Sequence, residues 1–175
     1  MKQFIFIFFV SILGCSSSDT PSQQPETPVV IPPIVLTDEQ LLDQAQKDAL
    51  KYFWDYAEPN SKLARERYHT DNPSFEANIV TTGGSGFGLM TIIAGIERGF
   101  VPRAEAVSRL TTALNFLETA DRFHGAWPHW MDGTNGNVIP FGTMDNGGDL
   151  VETAFLCQGL LTLREYFKNG STEEQ

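Results

Sequence analysis

An all-α domain is the fold that this sequence predicts. Apolar residues recur at spacings of three and four in four separate segments, whereas no strand-like alternation of useful length occurs, and glycine-rich loops separate the helical segments. The 175 residues are 41% hydrophobic and 19% charged, a composition typical of a globular chain. A formal net charge of -10 argues against nucleic acid as a partner, because nucleic-acid binding needs clustered Lys and Arg.

The first element, residues 1–15, is predicted to be a lipoprotein signal peptide. Lys2 precedes a run of ten apolar or small residues from Phe4 to Leu13, which is too short to span a bilayer. The run ends in Ile-Leu-Gly-Cys, which resembles a bacterial lipobox, so cleavage would leave Cys15 as a lipidated N-terminus. An ordinary signal peptide with a chance cysteine is the alternative.

Residues 16–36 are predicted to be a Pro/Ser-rich linker, because five of the ten prolines lie in this segment. Such a segment is extended and semi-rigid, and it would hold a domain away from a membrane surface. The mature chain is acidic, so attachment to the membrane would rest on the lipid anchor rather than on charge. We therefore expect a cell-envelope lipoprotein on the periplasmic or outer-membrane surface of a Gram-negative-type bacterium.

The domain, residues 37–175, begins with two predicted helices. Thr37 and Gln40 form a capping-box pattern, and an apolar stripe then predicts a helix over residues 38–57. A polar loop follows over residues 61–78. A second helix is predicted over residues 86–98, where Gly99 ends it.

Two further helices are predicted in the second half of the domain. The third begins with Pro102 in its first turn and runs to about Asp121. A long loop over residues 123–148 leads to the fourth helix, which is predicted to begin near Asp149. Cys157 in this helix has apolar neighbours and is predicted to be buried.

A weak internal repeat relates the second and fourth helices. A shift of 64 residues places Gly84 on Gly148 and Gly95 on Gly159, which suggests stacked helical hairpins. The alternative is that two buried helices both carry small residues where they cross other segments closely. A further capping pattern at residues 171–174 suggests the start of another helix, so we expect the N-terminal part of a longer protein.

Three carboxylates form the sharpest candidate site. Asp145, Asp149 and Glu152 lie where a glycine-flexible loop meets the fourth helix. Asp149 and Glu152 are three residues apart, so they share one helical face, and crowding of like charges raises the pKa of one carboxyl group. A general acid and an ionised partner can arise in this way. Helix capping by Asp149 and Glu152 is the alternative interpretation.

Aromatic and polar side chains suggest a carbohydrate subsite beside these acids. Trp127, His129, Trp130 and Phe141 lie in the loop that precedes the carboxylates, and aromatic rings of this kind stack on sugar faces. A buried loop anchor is the alternative for the Trp127-to-Trp130 segment. Arg65 and Glu66 belong to a second polar cluster that could line the same cleft or simply be exposed surface.

Other chemistries do not match the spacing of the residues. The glycine run from Gly83 to Gly88 lacks a following lysine and the GxGxxG spacing, and Phe87 replaces the second glycine of a nucleophile elbow around Ser85. Three scattered histidines and one buried cysteine do not form a zinc site. The carboxylates lack the alternating spacing of a calcium loop. We therefore expect neither a metal nor a cofactor.

Four motifs together resemble the glucoamylase-like domain of bacterial lipoproteins, which includes the endo-β-1,2-glucanases of glycoside hydrolase family 144. The resemblance runs from about Leu41 to Phe167. Its motifs are Asp48 to Trp54, Leu63 to Arg67, Thr81 to Gly88 and Asp145 to Ala154. It implies an (α/α)6 toroid of helical hairpins, here truncated to about four of twelve helices.

The resemblance also implies an activity: inverting, metal-free hydrolysis of β-1,2-linked glucan. The acidic cleft residues of the family fall on Asp145, Asp149 and Glu152. Inversion needs two carboxyl groups about 6.5–9.5 Å apart, and Asp149 and Glu152 are too close in sequence to form that pair by themselves. We expect neutralisation of any of the three acids to lower turnover far more than stability.

Three other interpretations of the sequence are compatible with these residues. A non-catalytic surface lipoprotein that binds glycans would use the same aromatic loop. A degenerate gene piece would leave apolar helix faces uncovered and would show no cooperative unfolding. A glucoamylase acting on α-linked glucan differs from a β-1,2-glucanase in cleft shape, which these residues do not specify.

Overall fold

The computed structural model describes residues 35–175, and residues 36–175 form one compact unit. The predicted signal peptide, the lipidation site Cys15 and nearly all of the predicted linker lie outside the described residues. Within the described range, no helix combines the length and the apolar character that a membrane span requires.

Four α-helices carry the domain, in agreement with the predicted all-α class. They are α1 (Asp38–Trp54), α2 (Thr82–Glu97), α3 (Arg103–Thr119) and α4 (Leu150–Phe167). The capping box at the start of α1 is confirmed, since the Thr37 hydroxyl accepts from the Gln40 amide and the Gln40 side chain accepts from the Thr37 amide. These four helices do not by themselves show a toroid.

The predicted helix bounds differ from the observed ones mainly at α1 and α2. Helix α1 ends at Trp54 rather than Ala57, and α2 begins at Thr82 rather than Gly86, so that the whole glycine run from Gly83 to Gly88 is helical. Pro102 and Asp149 are the N-cap residues of α3 and α4, one position before the first helical residue. Helix ends are the least specified part of a periodic pattern.

A small antiparallel sheet corrects the expectation of helices and loops alone. Its strands are β1 (Ile79–Thr81), β2 (Trp130–Asp132) and β3 (Val138–Ile139), in the order β1-β2-β3. Thr81 pairs with Trp130, and Trp130 pairs with Ile139. Strands of two or three residues are too short to show alternation, so the sequence pattern could not reveal them.

The apolar core lies among the helices and under the sheet. Its buried members are Leu50, Leu63, Val80, Leu89, Ile92, Val101, Ala106, Leu110, Ala113, Leu117, Ala120, Met131, Leu156, Leu163 and Phe167. Helix α2 packs against α4, α1 and α3 and is apolar on most of its circumference. Cys157 on α4 is half-buried rather than buried, because α4 turns it toward the margin of this core.

Helices α2 and α4 approach each other so closely that their backbones touch. A Cβ atom on Gly86 would collide with the Phe155 carbonyl oxygen, and one on Gly159 would collide with the Gly86 carbonyl oxygen. The close-crossing interpretation of these glycines is therefore the one that matches the packing. Gly95, which the 64-residue shift equates with Gly159, packs instead against Leu50 and Val101, so the two positions have different partners.

The sheet brings the starts of α2 and α4 together. Strand β1 runs directly into α2, and the Thr82 amide donates to the carbonyl oxygen of His129, just before β2. The Asp149 amide at the start of α4 donates to the Trp127 carbonyl oxygen at 2.8 Å. As a result, the segment 127–130 contacts the N-termini of both helices.

Candidate active site

Asp149 caps helix α4 and binds His129 at the same time. Its Oδ1 atom accepts from the amides of Val151 and Glu152 at 2.8 and 3.0 Å, and its Oδ2 atom lies 2.8 Å from His129 Nδ1. An ionised carboxylate only accepts hydrogen bonds, so the His129 proton is carried on Nδ1. This arrangement uses both oxygens of Asp149 and leaves His129 Nε2 outside the pair.

The pKa of Asp149 lies below its usual value. Partial burial acts to raise it, but the amides of Glu152 and Val151 together with His129 outweigh this by binding the charged form. The expectation that crowding would raise a carboxyl pKa therefore does not hold for Asp149. Asp149 acts as an anchored anion of the site.

Glu152 does not complete a capping box on its own helix, because the Asp149 amide donates to Trp127 instead. Its carboxylate reaches helix α2, where Oε2 accepts from the Gly83 amide at 2.7 Å and from the Thr81 hydroxyl at 3.3 Å. Although Asp149 and Glu152 are close in sequence, their carboxylates therefore bind different elements.

Asp145 is the carboxylate whose side chain has no hydrogen bond from the described residues. It is half-buried, and its backbone is held in a tight turn because the Phe141 amide donates to its carbonyl oxygen at 2.9 Å. A side-chain oxygen of Asp145 lies within 4.8 Å of ligand atoms of both His129 and Asp149. The turn therefore presents Asp145 beside the anchored pair, with its carboxylate free to bind or to move a proton.

An aromatic shelf, which we define as His129, Trp130 and Phe141, lies next to these acids. The ring of Phe141 stacks on His129 with centroids 3.9 Å apart, and Trp130 meets Phe141 edge to face at 4.9 Å. Phe141 is 51% exposed, so a ring face remains available to solvent. Exposed aromatic faces of this kind bury the apolar face of a sugar ring.

Trp127, in contrast, is held as a loop anchor. Its indole Nε1 donates to the Leu117 carbonyl oxygen at 3.2 Å, its amide binds the Thr153 hydroxyl at 2.9 Å, and its ring packs against the core. The Arg122 guanidinium covers the ring at 5.2 Å from its centroid. These contacts correspond to the structural alternative for this residue.

Arg65 and Glu66 lie on the segment that extends the sheet beside β1. The Arg65 guanidinium donates to the Pro73 carbonyl oxygen at 3.1 Å and is not joined to the acidic cluster. Arg65 pairs with Val80 and the Glu66 amide donates to Ile79, so alternation places Glu66 on the same face as Thr81. The Glu66 carboxylate accepts from the Arg67 guanidinium at 3.1 Å, and Arg65 supports the loop that contains Pro73.

Two residues of the site were not among the sequence-predicted candidates, namely Thr81 and Gly83. Both bind Glu152, which is 69 positions from Gly83 along the chain. The glycine run around them indicated a close approach of the backbone but not the partner. That partner is set by the crossing of α2 and α4.

Three side chains could offer ligands to a cation, namely His129, Asp145 and Asp149, whose ligand atoms lie within 4.8 Å of one another. His129 Nδ1 and Asp149 Oδ2 already satisfy each other, and Asp149 Oδ1 is committed to the helix cap. His129 Nε2 lies outside this pair, so its lone pair could bind a cation while the Nδ1 proton stays with Asp149.

Replacing Asp149 with alanine is expected to lower the free energy of unfolding by about 1–2 kcal/mol at pH 7, as for other helix N-caps. Because the folded pKa is depressed, this contribution is complete above the unfolded value of about 3.9 and is lost as pH falls through the folded pKa. Urea unfolding of both proteins between pH 7 and pH 3 measures the difference. The exposed Asp71→Ala change is the control, and a cost that persists unchanged at pH 3 would contradict the lowered pKa of Asp149.

Anchored carboxylates beside exposed aromatic rings, on a helical scaffold, form the kind of site that glycoside hydrolases use. No family model matches the chain. An exo β-1,2-glucooligosaccharide sophorohydrolase (non-reducing end) from Parabacteroides distasonis is 53% identical over 141 residues, which is 80% of this chain and 19% of the relative.

Solved structures agree with this relationship. An endo-β-1,2-glucanase from Chitinophaga pinensis, solved with sophorotriose and glucose, is 53% identical with a TM-score of 0.77 over 80% of this chain and 34% of its own. A Bacteroides fragilis structure with the provisional name glucoamylase is 58% identical with a TM-score of 0.77, over 81% and 34% of the two chains. The resemblance drawn from the motifs is confirmed: the matched four fifths of the chain are homologous to the glucoamylase-like β-1,2-glucanases. The chain spans about a fifth of the curated relative and a third of these two solved chains.

Proposed function

We propose that this chain provides part of the active site of a glycoside hydrolase for β-1,2-linked glucan. The observation that carries the proposal is the arrangement at the start of α4, where the uncommitted Asp145 carboxylate lies beside the anchored Asp149–His129 pair and His129 stacks on the ring of Phe141. The identity of 53% to a sophorohydrolase and to an endo-β-1,2-glucanase supports this substrate class. We further propose that cleavage occurs within the glucan chain rather than at its end, which is the endo mode that the motif resemblance implies.

The aromatic shelf would bind the substrate first. A glucosyl ring on Phe141 buries apolar C–H groups against the exposed ring face, while its hydroxyl groups reach the carboxylates next to the shelf. Backbone amides already hold Asp149 and Glu152 in place, so the two side chains need little rearrangement when the substrate binds. Both carboxylates orient the ring, and Asp149 favours the positive charge that develops at the cleaved bond.

Asp145 would then transfer a proton during hydrolysis. Inverting hydrolysis needs one carboxyl group that protonates the leaving oxygen and a carboxylate that activates water, about 6.5–9.5 Å away. Asp145 is the candidate for one of these roles, since its side chain is not committed to other described residues. Its partner would be a carboxyl group other than Asp149 and Glu152.

The native protein is the right material for the test, because the matched relatives are longer than this chain. We expect it to release glucooligosaccharides from β-1,2-glucan. Because the proposed mechanism inverts the anomeric carbon, NMR should first detect the α-anomer at the new reducing end. Starch and β-1,3-glucan serve as controls for linkage. Cleavage of starch alone would show that the α-linked alternative is correct.

A non-catalytic glycan-binding protein is the second candidate. It is favoured by one specific observation, namely that both Asp149 and Glu152 are occupied by structural hydrogen bonds. Binding of sophorotriose by the native protein without any release of product would establish this candidate and reject the hydrolase.

We also propose that the protein is exported and lipidated at Cys15, which would anchor the domain at the cell envelope. Metabolic labelling with a fatty acid in the native host tests this directly. Label on the wild-type protein and its loss in Cys15→Ser are expected, and an unlabelled wild-type protein would reject the anchor.

A further inference from the structure

Helix α2 begins without a side-chain cap of its own. Thr81 is its N-cap residue, but the Thr81 hydroxyl makes no hydrogen bond to the first turn of the helix and donates instead to Glu152. The first amides of a helix have no partner within that helix and need an outside acceptor. The Gly83 amide finds that acceptor in Glu152 Oε2, at 2.7 Å.

Glu152 therefore caps a helix to which it does not belong. It lies in the first turn of α4, and its carboxylate is held at the positive end of α2, where an anion is stabilised by the helix dipole. The side chain thus links the starts of the two helices at the same place where Asp149 caps α4.

A larger residue at position 83 would push the Glu152 carboxylate away from its contact with the residue 83 amide. A Cβ atom there would lie 2.6 Å from Glu152 Oε2, closer than nonbonded atoms approach, so the carboxylate would have to move. Both hydrogen bonds from Thr81 and Gly83 go to Oε2, and Oε1 accepts no hydrogen bond from the described residues. The half-buried carboxylate is therefore bound through one oxygen and can offer the other to a ligand.

We propose that Thr81 and Gly83 are positioning residues, which fix Glu152 so that Oε1 accepts a hydrogen bond from a hydroxyl group of a bound glucosyl unit. The inference rests on the proposed function and deepens it by giving Glu152 a binding role rather than a proton-transfer role. Because Thr81 and Gly83 fix the Glu152 carboxylate, we expect Oε1 to bind the sugar hydroxyl equally well in the ground state and in the transition state. Its loss therefore raises KM more than it lowers kcat.

Thr81→Val removes one donor and keeps the side-chain shape, so it is the informative variant. In the native protein we expect KM for β-1,2-glucan to rise about threefold to tenfold, since hydrogen bonds to charged groups are the stronger ones, with kcat changed less than about twofold. Thr81→Ser keeps the hydroxyl and should restore KM. Thr91→Val is the matched control, because the Thr91 hydroxyl on the same helix only donates to the Phe87 carbonyl oxygen.

Unchanged KM in Thr81→Val would overturn the proposal, as would a loss that Thr81→Ser fails to restore. A fall in kcat alone would also overturn it, because that result assigns Glu152 to proton transfer. Thermal unfolding of the three variants separates the positioning effect from a general loss of the fold.

A second readout does not depend on hydrolysis. In Glu152→Gln, the NMR signal of the Gly83 amide proton should move more than that of any other α2 amide, because its charged acceptor is lost. An unmoved Gly83 signal would overturn the positioning contact itself. If the signal moves as expected and the native protein hydrolyses no glucan, the positioning stands and the proposed function fails.

Discussion

Replacement of Asp145 by asparagine is expected to lower kcat/KM for β-1,2-glucan by about a hundredfold or more in the native protein. The reason is that Asp145 is the acid of the cluster whose side chain is not committed to a described residue, so it can bind and transfer a proton. The thermal unfolding midpoint should stay close to that of the wild type, because no described hydrogen bond is lost. Steady-state kinetics and calorimetry on the same preparations measure both quantities.

The matched control for this prediction is Asp71→Asn, the same change at an exposed position on the loop before β1. It should leave kinetics and stability unaltered. Wild-type activity in Asp145→Asn would remove Asp145 from the chemistry. A drop in the unfolding midpoint as large as that of Asp149→Ala would show that Asp145 is instead a structural residue.

The structure also revises the expectation that all three acids act in the same way. Neutralising Asp149 should lower stability as well as activity, because it removes the α4 cap and the bond to His129. Neutralising Glu152 should disturb the start of α2, which has no other side-chain cap. We expect activity and stability to separate cleanly for Asp145 alone among the three acids.

Replacement of Gly159 by alanine is expected to cause the largest loss of stability, about 3 kcal/mol. The added methyl group would meet the backbone of Gly86, and neither helix can yield without separating from the other. Other overpacked sites can relax by moving a flexible side chain, but this contact is backbone against backbone. Urea unfolding followed by circular dichroism measures the change.

The control for this substitution is Gly142→Ala, since a Cβ atom there would meet nothing within 4 Å. This variant should be within about 1 kcal/mol of the wild type, and the smaller entropy of its unfolded chain favours a slight gain. Equal stability of the two variants would show that α2 and α4 do not cross as closely as described.

Local patterns were sufficient for the helices and for one part of the site. Apolar stripes predicted α1 to α4, and the cap preferences of Thr37 and Asp149 placed the starts of α1 and α4 almost to the residue. These features depend on neighbours three or four positions apart, which the sequence displays directly. The aromatic shelf was likewise foreseen from its nearness in sequence to Asp145.

Long-range contacts were beyond the reach of the same reasoning. The buried Glu58, 2% exposed, is satisfied by the amides and side chains of Asn60 and Ser61, and no pattern had marked it. Trp127 stood beside the shelf residues in sequence, yet its indole faces the core and binds Leu117. Which face a loop residue takes depends on the packing of the elements around it.

The sequence by itself therefore determined the helical class, the order of the four helices, the acidic and aromatic residues available for the proposed site, and the relationship to β-1,2-glucanases. Only the tertiary structure decided what each acid does. Asp149 became an anchored cap, Glu152 became the cap of a second helix through Gly83, and Asp145 was left free. The physical reason is that the role of a carboxylate depends on the donors that reach it. The donors for Glu152 are Thr81 and Gly83 at the start of α2, and the close crossing of α2 and α4 brings the Gly83 amide to 2.7 Å from Oε2.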